Sequence, residues 1–549
     1  MQRKPGLTTS ALVAVCITAP LMAVLYLADQ LAGLAFVPYD FFDWIGRVLP
    51  GDIVIRAIHT IVDVITALNL GETSSTAKTI ETLIALVQFF VGGVVAGTIL
   101  FAVLRWLDRA RRTDVLYVVG LIGGAILGLP MILISLHVNT TADAPDQVRV
   151  LWLTAAFLVW GGAITWAYLR LTRMPAAAEE TVAEPSALEA ISLNRRQFLV
   201  RMGTATATLT VLGAGVAYAL QWQDSREYQQ RIERNRAAAM PDDLPNADAT
   251  LEPAPGTRPE YTPLEDHYRI DINVRPPEID GDSWRLKIGG MVDNPMEIGI
   301  DDLRSTYSAR DQYVTLACIS NPVAGDLTST TLWTGPSLRD VLADAGLQDG
   351  ATHLRISAED GFYETVALDV VNNDERVMLA YDWDHIPLLT QHGFPLRVYI
   401  PDHYGMKQPK WITEIEVMDH DEDGYWVTRG WDKEARMRAT SVIDVVAADM
   451  SYEQDGQTFV PVGGIAHAGA RGISKVEVSV DDGEWVEARL RQPLSETTWV
   501  IWRYDWPFQA GEHTFAVRCY EGDGTPQVEE RHSTMPAGAT GIHTVTRDV

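Results

Sequence analysis

Two nearby stretches decide the fold of the second half of the chain, QHGFPLRV at residues 391–398 and PDHYGMKQPKW at residues 401–411. Both combine glycine turns with short apolar runs of the kind that form strands. The pattern brings together the cationic side chains of His392, Arg397 and Lys410. Guanidinium and ammonium groups are common protein partners of phosphate, so this set predicts a site for a phosphorylated ligand.

A thiol marks the end of another predicted strand. Residues 313–317 read YVTLA, an apolar run that leads directly to Cys318, and the loop ISNPVAGD follows at 319–326. A cysteine at the end of a strand, entering a loop of small residues, is well placed to face a ligand. The simpler alternative is that Cys318 only fills space in the core, as a buried cysteine commonly does.

These motifs together resemble the molybdopterin-binding domain of the sulfite oxidase family, which includes assimilatory nitrate reductases and the periplasmic methionine sulfoxide reductase subunit. The family pattern is a Cys-x-x-Asn loop, then His-Gly-Phe-Pro-x-Arg, then Tyr-Gly-x-x-x-x-Lys-Trp. The chain has all three in this order, at 318–321, 392–397 and 404–411. The resemblance extends over about residues 265–535 and includes WRLKIGG at 284–290.

The resemblance implies a molybdenum–molybdopterin cofactor and a two-electron oxidoreductase. Cys318 would supply the thiolate that binds the metal, and Asn321 would shape its loop. A soft thiolate suits such a metal and must lose its proton to bind. The residues that would hold the pterin and its phosphate are His392, Arg397, Lys407, Lys410, Asn273 and Arg275.

The chain departs from the family on the substrate side. Sulfite oxidases begin the domain with Arg-Asn-His, where this chain has YRIDINVR at 268–275, so Asn273 and Arg275 would replace part of that set. Sulfite oxidases also place a tyrosine beside the oxo group, and near that position this chain has GWD at 430–432, with Trp431 in the middle. Sulfite oxidation and the reduction of an S- or N-oxide therefore both stay open.

The first 221 residues have the composition of a membrane module. Five uncharged stretches reach the length of about 20 residues that a bilayer crossing needs. They lie at 7–28, 82–104, 115–136, 150–169 and 202–220. The flanking basic residues are Arg3, Lys4, Arg105, Arg109, Arg111, Arg112, Arg170, Arg173, Arg195, Arg196 and Arg201. By the positive-inside rule, the N-terminus is cytoplasmic and the part after the fifth span is extracytoplasmic.

Two further segments of this module have patterns that predict a structure or a function. Residues 41–68 are apolar but place Asp52, Arg56, His59 and Asp63 on one helical face, which predicts an interfacial helix on the outer side. That charged face would either touch the outer domain or be solvated. NRRQFL at 194–199 resembles a twin-arginine export signal, although ordinary positive-inside charge is the alternative.

The remaining chain reads as strands with short helices and then as strands alone. We predict five segments: a four-span membrane module with the interfacial helix at 1–190, the twin-arginine-like signal and fifth span at 191–221, a linker at 222–264, an α+β molybdopterin-binding domain at 265–440 and an immunoglobulin-like β-sandwich at 441–549. The last unit resembles the dimerisation domain of the family, which implies a homodimer.

The distribution of charge along the chain limits the kinds of molecule that the protein can bind. Residues 1–221 carry equal numbers of acidic and basic residues, so the whole net charge of −28 lies in residues 222–549, which excludes nucleic acid. The three cysteines include no pair with haem or zinc spacing. Electrons must therefore be exchanged with a separate molecule, either a basic carrier such as a cytochrome or a quinone or protein partner at the membrane. Two other classes stay open, a cofactor-free binding or scaffold protein and a membrane sensor or transporter.

Overall fold

The computed structural model describes residues 6–68, 70–108, 112–172, 185–239, 244–263 and 266–549. The chain forms two compact units. The helical unit comprises Met1–Leu49, Lys78–Arg231 and Asn273–Glu278, and the β-rich unit comprises Pro50–Ala77, Ile232–Ile272 and Ile279–Val549.

Seven helices precede the first strand in the part of the chain that the structure describes. They are α1 (Leu7–Ala32), α2 (Val37–Val48), α3 (Gly51–Leu68), α4 (Thr73–Leu107), α5 (Thr113–Val138), α6 (Asp146–Thr172) and α7 (Pro185–Ala239). Five of them, α1, α4, α5, α6 and α7, are long and apolar enough to cross a bilayer, and each contains one predicted stretch. The predicted flanking residues Arg3, Lys4, Arg109, Arg111 and Arg173 lie outside the described residues.

Helices α5 and α6 pack closely because small residues line their contact. A methyl group on Gly161 would lie 2.1 Å from the carbonyl oxygen of Gly120, and one on Gly124 would lie 2.3 Å from the carbonyl oxygen of Phe157. Without side chains at these positions the two backbones can touch, which is the usual basis of helix association in apolar bundles.

The helix predicted over 41–68 is in fact two helices, α2 and α3. Leu49 has extended backbone angles and Pro50 follows it. Proline disfavours helical angles in the residue before it and cannot donate the next helical hydrogen bond, so the helix ends there and a new one begins at Gly51.

Helix α3 belongs to the β-rich unit and packs through its apolar side. Ile55 is buried in a cluster with Ala317, Ile319, Tyr404 and Trp431. The charged side chains of Asp52, Arg56 and Asp63 are exposed. A solvated charged face was one of the two expected outcomes, and contact through the apolar face was not expected.

The first part of the β-rich unit contains eleven strands and three short helices. They are β1 (Leu286–Gly290), β2 (Met296–Ile298), α8 (Ile300–Thr306), β3 (Ala309–Ala317), β4 (Thr328–Pro336), α9 (Leu338–Ala345), β5 (His353–Ala358), β6 (Tyr363–Ala367), α10 (Leu368–Asn373), β7 (Met378–Ala380), β8 (Asp382–Trp383), β9 (Ile386–Pro387), β10 (Arg397–Tyr399) and β11 (Ile412–Met418). One sheet has the order β2-β1-β11-β5-β6, a second has the order β3-β4-β8-β9, and β10 pairs with β7. The pairing of β1 with β11 is parallel and joins the two ends of this region.

The last part contains strands only. They are β12 (Thr440–Val446), β13 (Tyr452–Gln454), β14 (Gln457–His467), β15 (Ile473–Val480), β16 (Val486–Glu487), β17 (Arg489–Leu490), β18 (Val500–Pro507), β19 (Glu512–Glu521) and β20 (His543–Asp548). Two sheets form, β12-β14-β18-β17 with β13 beside β14, and β16-β15-β19-β20. Their apolar faces share one core, in which Val462 and Trp502 of the first sheet pack with Val478 and Phe515 of the second.

Where the structure describes it, the segment predicted as a linker over 222–264 consists of the end of a helix and an irregular stretch that is bonded to the sheets. Helix α7 continues to Ala239, and residues 244–263 have no helix or strand but are bonded to the sheets. The buried Asn246 side chain donates to the carbonyl of Gln492, and the backbone N–H of Thr262 donates to the carbonyl of Thr330. Paired groups of this kind fix a segment that composition alone describes as loose.

The packing of α3 predicts that two isoleucine-to-alanine substitutions on this helix differ in their effect on stability. Ile55 is 5% exposed and Ile53 is 50% exposed, although both lie on the same helix. Ile55→Ala should destabilise the β-rich unit by about 2–5 kcal/mol, because it leaves a cavity, whereas Ile53→Ala should change stability by about 0.5 kcal/mol or less. Denaturation of the purified full chain in detergent measures both, and equal effects would contradict the assignment of α3 to this unit.

Candidate functional site

The Cys318 loop is the connection between β3 and β4. The backbone N–H of Cys318 donates to the carbonyl of Leu327, at 2.9 Å, and closes the loop at its base. Asn321 spans the loop, because its N–H donates to the carbonyl of Cys318 and its side-chain oxygen accepts from the N–H of Leu327, both at 3.0 Å. A methyl group on Gly325 would lie 2.3 Å from that side-chain oxygen, so the loop needs glycine there.

The Cys318 thiol is held in a protonated state. The residue keeps some exposed surface, but the protein atoms around it desolvate the sulfur and raise its pKa. The Ser320 hydroxyl, 3.0 Å from Sγ, opposes this effect. A bound metal ion would displace the proton, since the thiolate is the form that ligates.

The predicted cations converge in the β-rich unit. His392 ends a short helical turn, Arg397 begins β10 and Lys410 comes just before β11. Gly393 lies between them with φ +114°, and a methyl group there would be 3.1 Å from Cβ of Arg397 and 3.2 Å from Cβ of Lys410. The turn therefore lets the backbone approach both cations closely.

Positive charge exceeds negative charge in this group. Asp271 pairs with both Lys410 and Arg269. The Arg397 guanidinium donates to the carbonyl of His392 at 3.0 Å and lies 4.3 Å above the Trp333 ring, with no carboxylate partner among the described residues. Burial lowers the pKa of Arg397 to about 10.

Burial also affects the protonation of the neighbouring groups Lys410 and His392. Desolvation lowers the pKa of Lys410, and the adjacent carboxylate of Asp271 opposes that effect. The pKa of His392 lies well below its usual range because of burial and the surrounding cations, so His392 is neutral. The cluster therefore combines the Arg397 cation and the Lys410–Asp271 ion pair with a neutral imidazole.

Two donors in this cluster have no hydrogen-bond partner in the described part of the chain, Nε of Arg397 and one terminal nitrogen of Arg269. Buried donors are almost always paired in folded proteins, so this arrangement fits an anionic ligand that would accept from them. A pterin phosphate meets that requirement, and the residues present fit the group.

Residues 267–271 complete the site and were missed by the sequence analysis. The His267 ring lies 5.1 Å from the His392 ring and 4.6 Å from the Trp383 ring. Arg269 and Asp271 are two residues apart, and side chains at that spacing share one side of an extended segment. These two opposite charges at a spacing of two residues were the signal available.

Lys407 has a different role from the one predicted. Its Nζ lies 2.8 Å from the Glu364 carboxylate and donates to the carbonyl of Thr365 at 3.0 Å. Both side chains of the ion pair are buried, and burial raises the pKa of Glu364. The Lys407 charge is therefore neutralised locally by β6 and is not offered to a phosphate.

Asn273 and Arg275 are also placed differently from the prediction. The Arg275 guanidinium makes two hydrogen bonds of 2.9 Å to the Asp29 carboxylate, and the Asn273 side-chain oxygen accepts from Arg47 at 2.8 Å. The N–H of Val274 donates to Asp43 at 2.9 Å. These groups are engaged within the helical unit, so the structure does not bring them into the cation cluster.

Residues 273–426 match the family described as oxidoreductase molybdopterin binding domain. Curated relatives include mitochondrial sulfite oxidase from Macaca fascicularis, 28% identical over 287 residues, which are 44% of this chain and 52% of the relative. Nitrate reductase [NADH] 1 from Oryza sativa subsp. japonica is 26% identical over 338 residues, 50% of this chain and 36% of the relative. The chain thus spans about half the length of the sulfite oxidase.

One solved structure to which the chain is similar is the sulfane dehydrogenase SoxCD from Paracoccus pantotrophus. It aligns with a TM-score of 0.47 and 20% identity, covering 54% of this chain and 82% of that chain. The family match and the curated relatives confirm the resemblance predicted from the motifs.

Gly393 gives a test of the cation cluster with a matched control. Gly393 and Gly456 both have positive φ, but a methyl group on Gly456 meets nothing within 4 Å. Alanine at either position should destabilise the protein by about 1 kcal/mol or somewhat more from backbone strain. Only Gly393→Ala should also reduce the pterin that copurifies with the protein, because it pushes Arg397 and Lys410 apart. Equal pterin content in the two variants would show that the cluster does not hold the cofactor.

Proposed function

We propose, from the premise that this chain carries a molybdopterin-binding domain of the sulfite oxidase family, that it is a membrane-anchored molybdenum–molybdopterin oxidoreductase. It would perform a two-electron oxidation or an oxo transfer on a small substrate, either sulfite oxidation or the reduction of an S- or N-oxide. The observation that carries the proposal is the buried cation cluster around Arg397, whose unpaired donors require an anion.

Each residue has a defined task in this proposal. Cys318 supplies the thiolate ligand and releases its proton when the metal binds. Arg397 and Lys410 hold the phosphate, and neutral His392 contacts the pterin. The bound cofactor supplies the redox chemistry, while the protein positions it and controls access.

The proposed substrate side of the site contains residues from outside the matched domain. Trp431, near the position where sulfite oxidases would have a tyrosine, is buried beside Ile55 and Ile319. The ring of His59, from α3, lies 6.5 Å from the Trp431 ring. Helix α3 lies outside the matched domain, so we infer that the surroundings of the substrate differ from those in the curated relatives.

We further propose an extracytoplasmic position for the β-rich unit. Five apolar helices, the distribution of basic residues around them and the twin-arginine-like stretch at 194–199 support this orientation. The two C-terminal sheets with their shared core are consistent with an immunoglobulin-like domain, and through it with a homodimer.

Electron exchange requires a partner, and the acidic charge of residues 222–549 favours a basic soluble carrier over a membrane-bound one. Long-range attraction raises the association rate with such a carrier and is screened by salt. The association rate should therefore fall as ionic strength rises, while single-turnover chemistry at the metal stays constant. Stopped-flow mixing with a cationic cytochrome measures both, and a salt-independent association rate would favour a quinone or a protein partner in the membrane.

Replacement of the thiol tests the proposed chemistry directly. Cys318→Ser should abolish turnover with both sulfite and sulfoxide probes but leave most of the pterin bound, because Arg397 and Lys410 still hold the phosphate. The buried Cys519 provides the control, since Cys519→Ser alters a thiol in the C-terminal core. Metal and pterin analysis with activity assays separates the outcomes. Turnover in Cys318→Ser would contradict the assignment, and wild-type protein without molybdenum would favour a cofactor-free scaffold.

A further inference from the structure

Helix α3 contributes one buried ring nitrogen to the β-rich unit. The sequence places His59 on the same helical face as Asp52, Arg56 and Asp63, but those three side chains are exposed, whereas His59 is half-buried. Its Nε2 atom is buried and has no hydrogen-bond partner in the described part of the chain. Buried polar atoms are nearly always paired in folded proteins, so this nitrogen is consistent with a ligand that would pair with it.

His59 lies beside an apolar cluster that reaches the Cys318 loop. It follows Ile55 by four residues, so the two side chains lie on the same side of the helix. Ile55 packs in this cluster, here called the Trp431 cluster, together with Ala317, the residue before Cys318. The His59 ring meets the Trp431 ring edge to face, with 6.5 Å between the ring centres.

The start of α3 is packed tightly against the turn that leads to Trp431. A methyl group on Gly51 would lie 2.9 Å from Cα of Arg429, so only glycine allows this approach. Arg429 ends a short helical turn, two residues before Trp431. The helix is therefore held at its start and again at Ile55, and these contacts fix the position of His59 relative to Trp431.

The Trp431 cluster offers few polar groups. Its buried members are aliphatic and aromatic side chains, alanine and methionine. The hydroxyl of Tyr404, which belongs to the cluster, already accepts a hydrogen bond from the N–H of Arg438 at 3.1 Å. Tyr404 also lies close enough to Cys318 for the charge of a thiolate to act on the phenol. Nε2 of His59 is thus a polar atom beside apolar surroundings that adjoin the proposed metal ligand.

A substrate that reaches a metal bound at Cys318 meets these surroundings. Sulfite, an S-oxide and an N-oxide share one feature, an oxygen on sulfur or nitrogen that accepts hydrogen bonds. Such an oxygen loses free energy in apolar surroundings unless a donor pairs with it. An imidazole presents N–H at Nε2 in one neutral tautomer and in its protonated form.

We propose that His59 is a substrate-contacting residue, whose Nε2 donates a hydrogen bond to the oxygen of a sulfite, S-oxide or N-oxide substrate. The contact would come from α3, which lies outside the matched residues 273–426. This inference rests on the proposed function and adds to it a residue that determines how the substrate is held.

Three substitutions of His59 in the full-length, cofactor-loaded protein separate a substrate contact from packing. His59→Phe keeps a ring against Trp431 and removes both nitrogens. His59→Gln places an amide nitrogen near the position of Nε2, and His59→Asn places one near that of Nδ1. Dissociation constants are measured in the redox state that cannot react, which means sulfite with reduced protein, and dimethyl sulfoxide and trimethylamine N-oxide with oxidised protein.

The three variants should differ in affinity for the probe that wild-type protein binds. His59→Phe and His59→Asn should weaken binding about threefold to tenfold, as expected for one lost hydrogen bond, and His59→Gln should stay within about twofold of wild type. The thermal midpoint of His59→Phe should not fall, because Nε2 has no partner to lose among the described residues. Molybdenum and pterin content should stay at the wild-type level in all three.

Wild-type affinity in His59→Phe would overturn the inference. So would an equal loss of affinity in all three variants together with a lowered thermal midpoint, because that is the result expected of packing alone, or loaded wild-type protein that binds none of the probes. If His59→Phe does not fold, equal affinities of His59→Gln and His59→Asn would overturn it. None of these results bears on the binding of the metal, whereas wild-type protein without molybdenum would overturn the proposed function as well.

Discussion

The structure depends on a buried excess of positive charge. Arg269 and Lys410 share one carboxylate, Asp271, and Arg397 has only a backbone carbonyl and an aromatic face as partners in the described part of the chain. Burial of an unpaired charge costs free energy, so packing in the rest of the fold must offset the cost of keeping these groups away from water. Lys410 comes just before β11, and the parallel pairing of β11 with β1 holds that strand in place. The positive φ of Gly393 brings Arg397 and Lys410 together.

Segments outside the matched domain contribute to the same unit. Ile55 of α3 fills the cluster that also contains Ile319 of the Cys318 loop, and the N–H of Thr73, at the start of α4, donates to the Asp326 carboxylate at 2.7 Å. The residues before the domain are bonded as well, through Asn246 and Thr262. The loop that carries the proposed metal ligand is therefore contacted by α3 and by the start of α4, which both lie outside the matched residues 273–426. A chain cut at the family boundaries would lose these contacts.

Sequence reasoning succeeded where the information was local and failed where it was not. His392, Arg397 and Lys410 stand in a compact motif whose glycine turns encode their proximity, so their convergence could be predicted. Lys407 belongs to the same motif, but its partner Glu364 lies on another strand, and no pattern near Lys407 indicates that pairing. The break between α2 and α3 was readable from Pro50 and was overlooked, because the apolar periodicity continued across it. The contact of Arg275 with Asp29 joins residues 246 positions apart, which only the three-dimensional structure shows.

Cys318 and Arg397 would offer different chemistry to a ligand. Cys318 is a neutral thiol, because burial raises its pKa, and the Ser320 hydroxyl lies 3.0 Å from its sulfur. A neutral buried thiol is stable by itself and would become a ligand only by losing its proton to a metal ion. Arg397, in contrast, is a buried cation with an unpaired donor, which would pair with an anion such as a phosphate. A metal ion alone would leave this donor unpaired, and an anion alone would leave the thiol protonated. Both residues would therefore be used only by a ligand that carries a metal and a phosphate, which is the composition of the proposed metal–pterin cofactor.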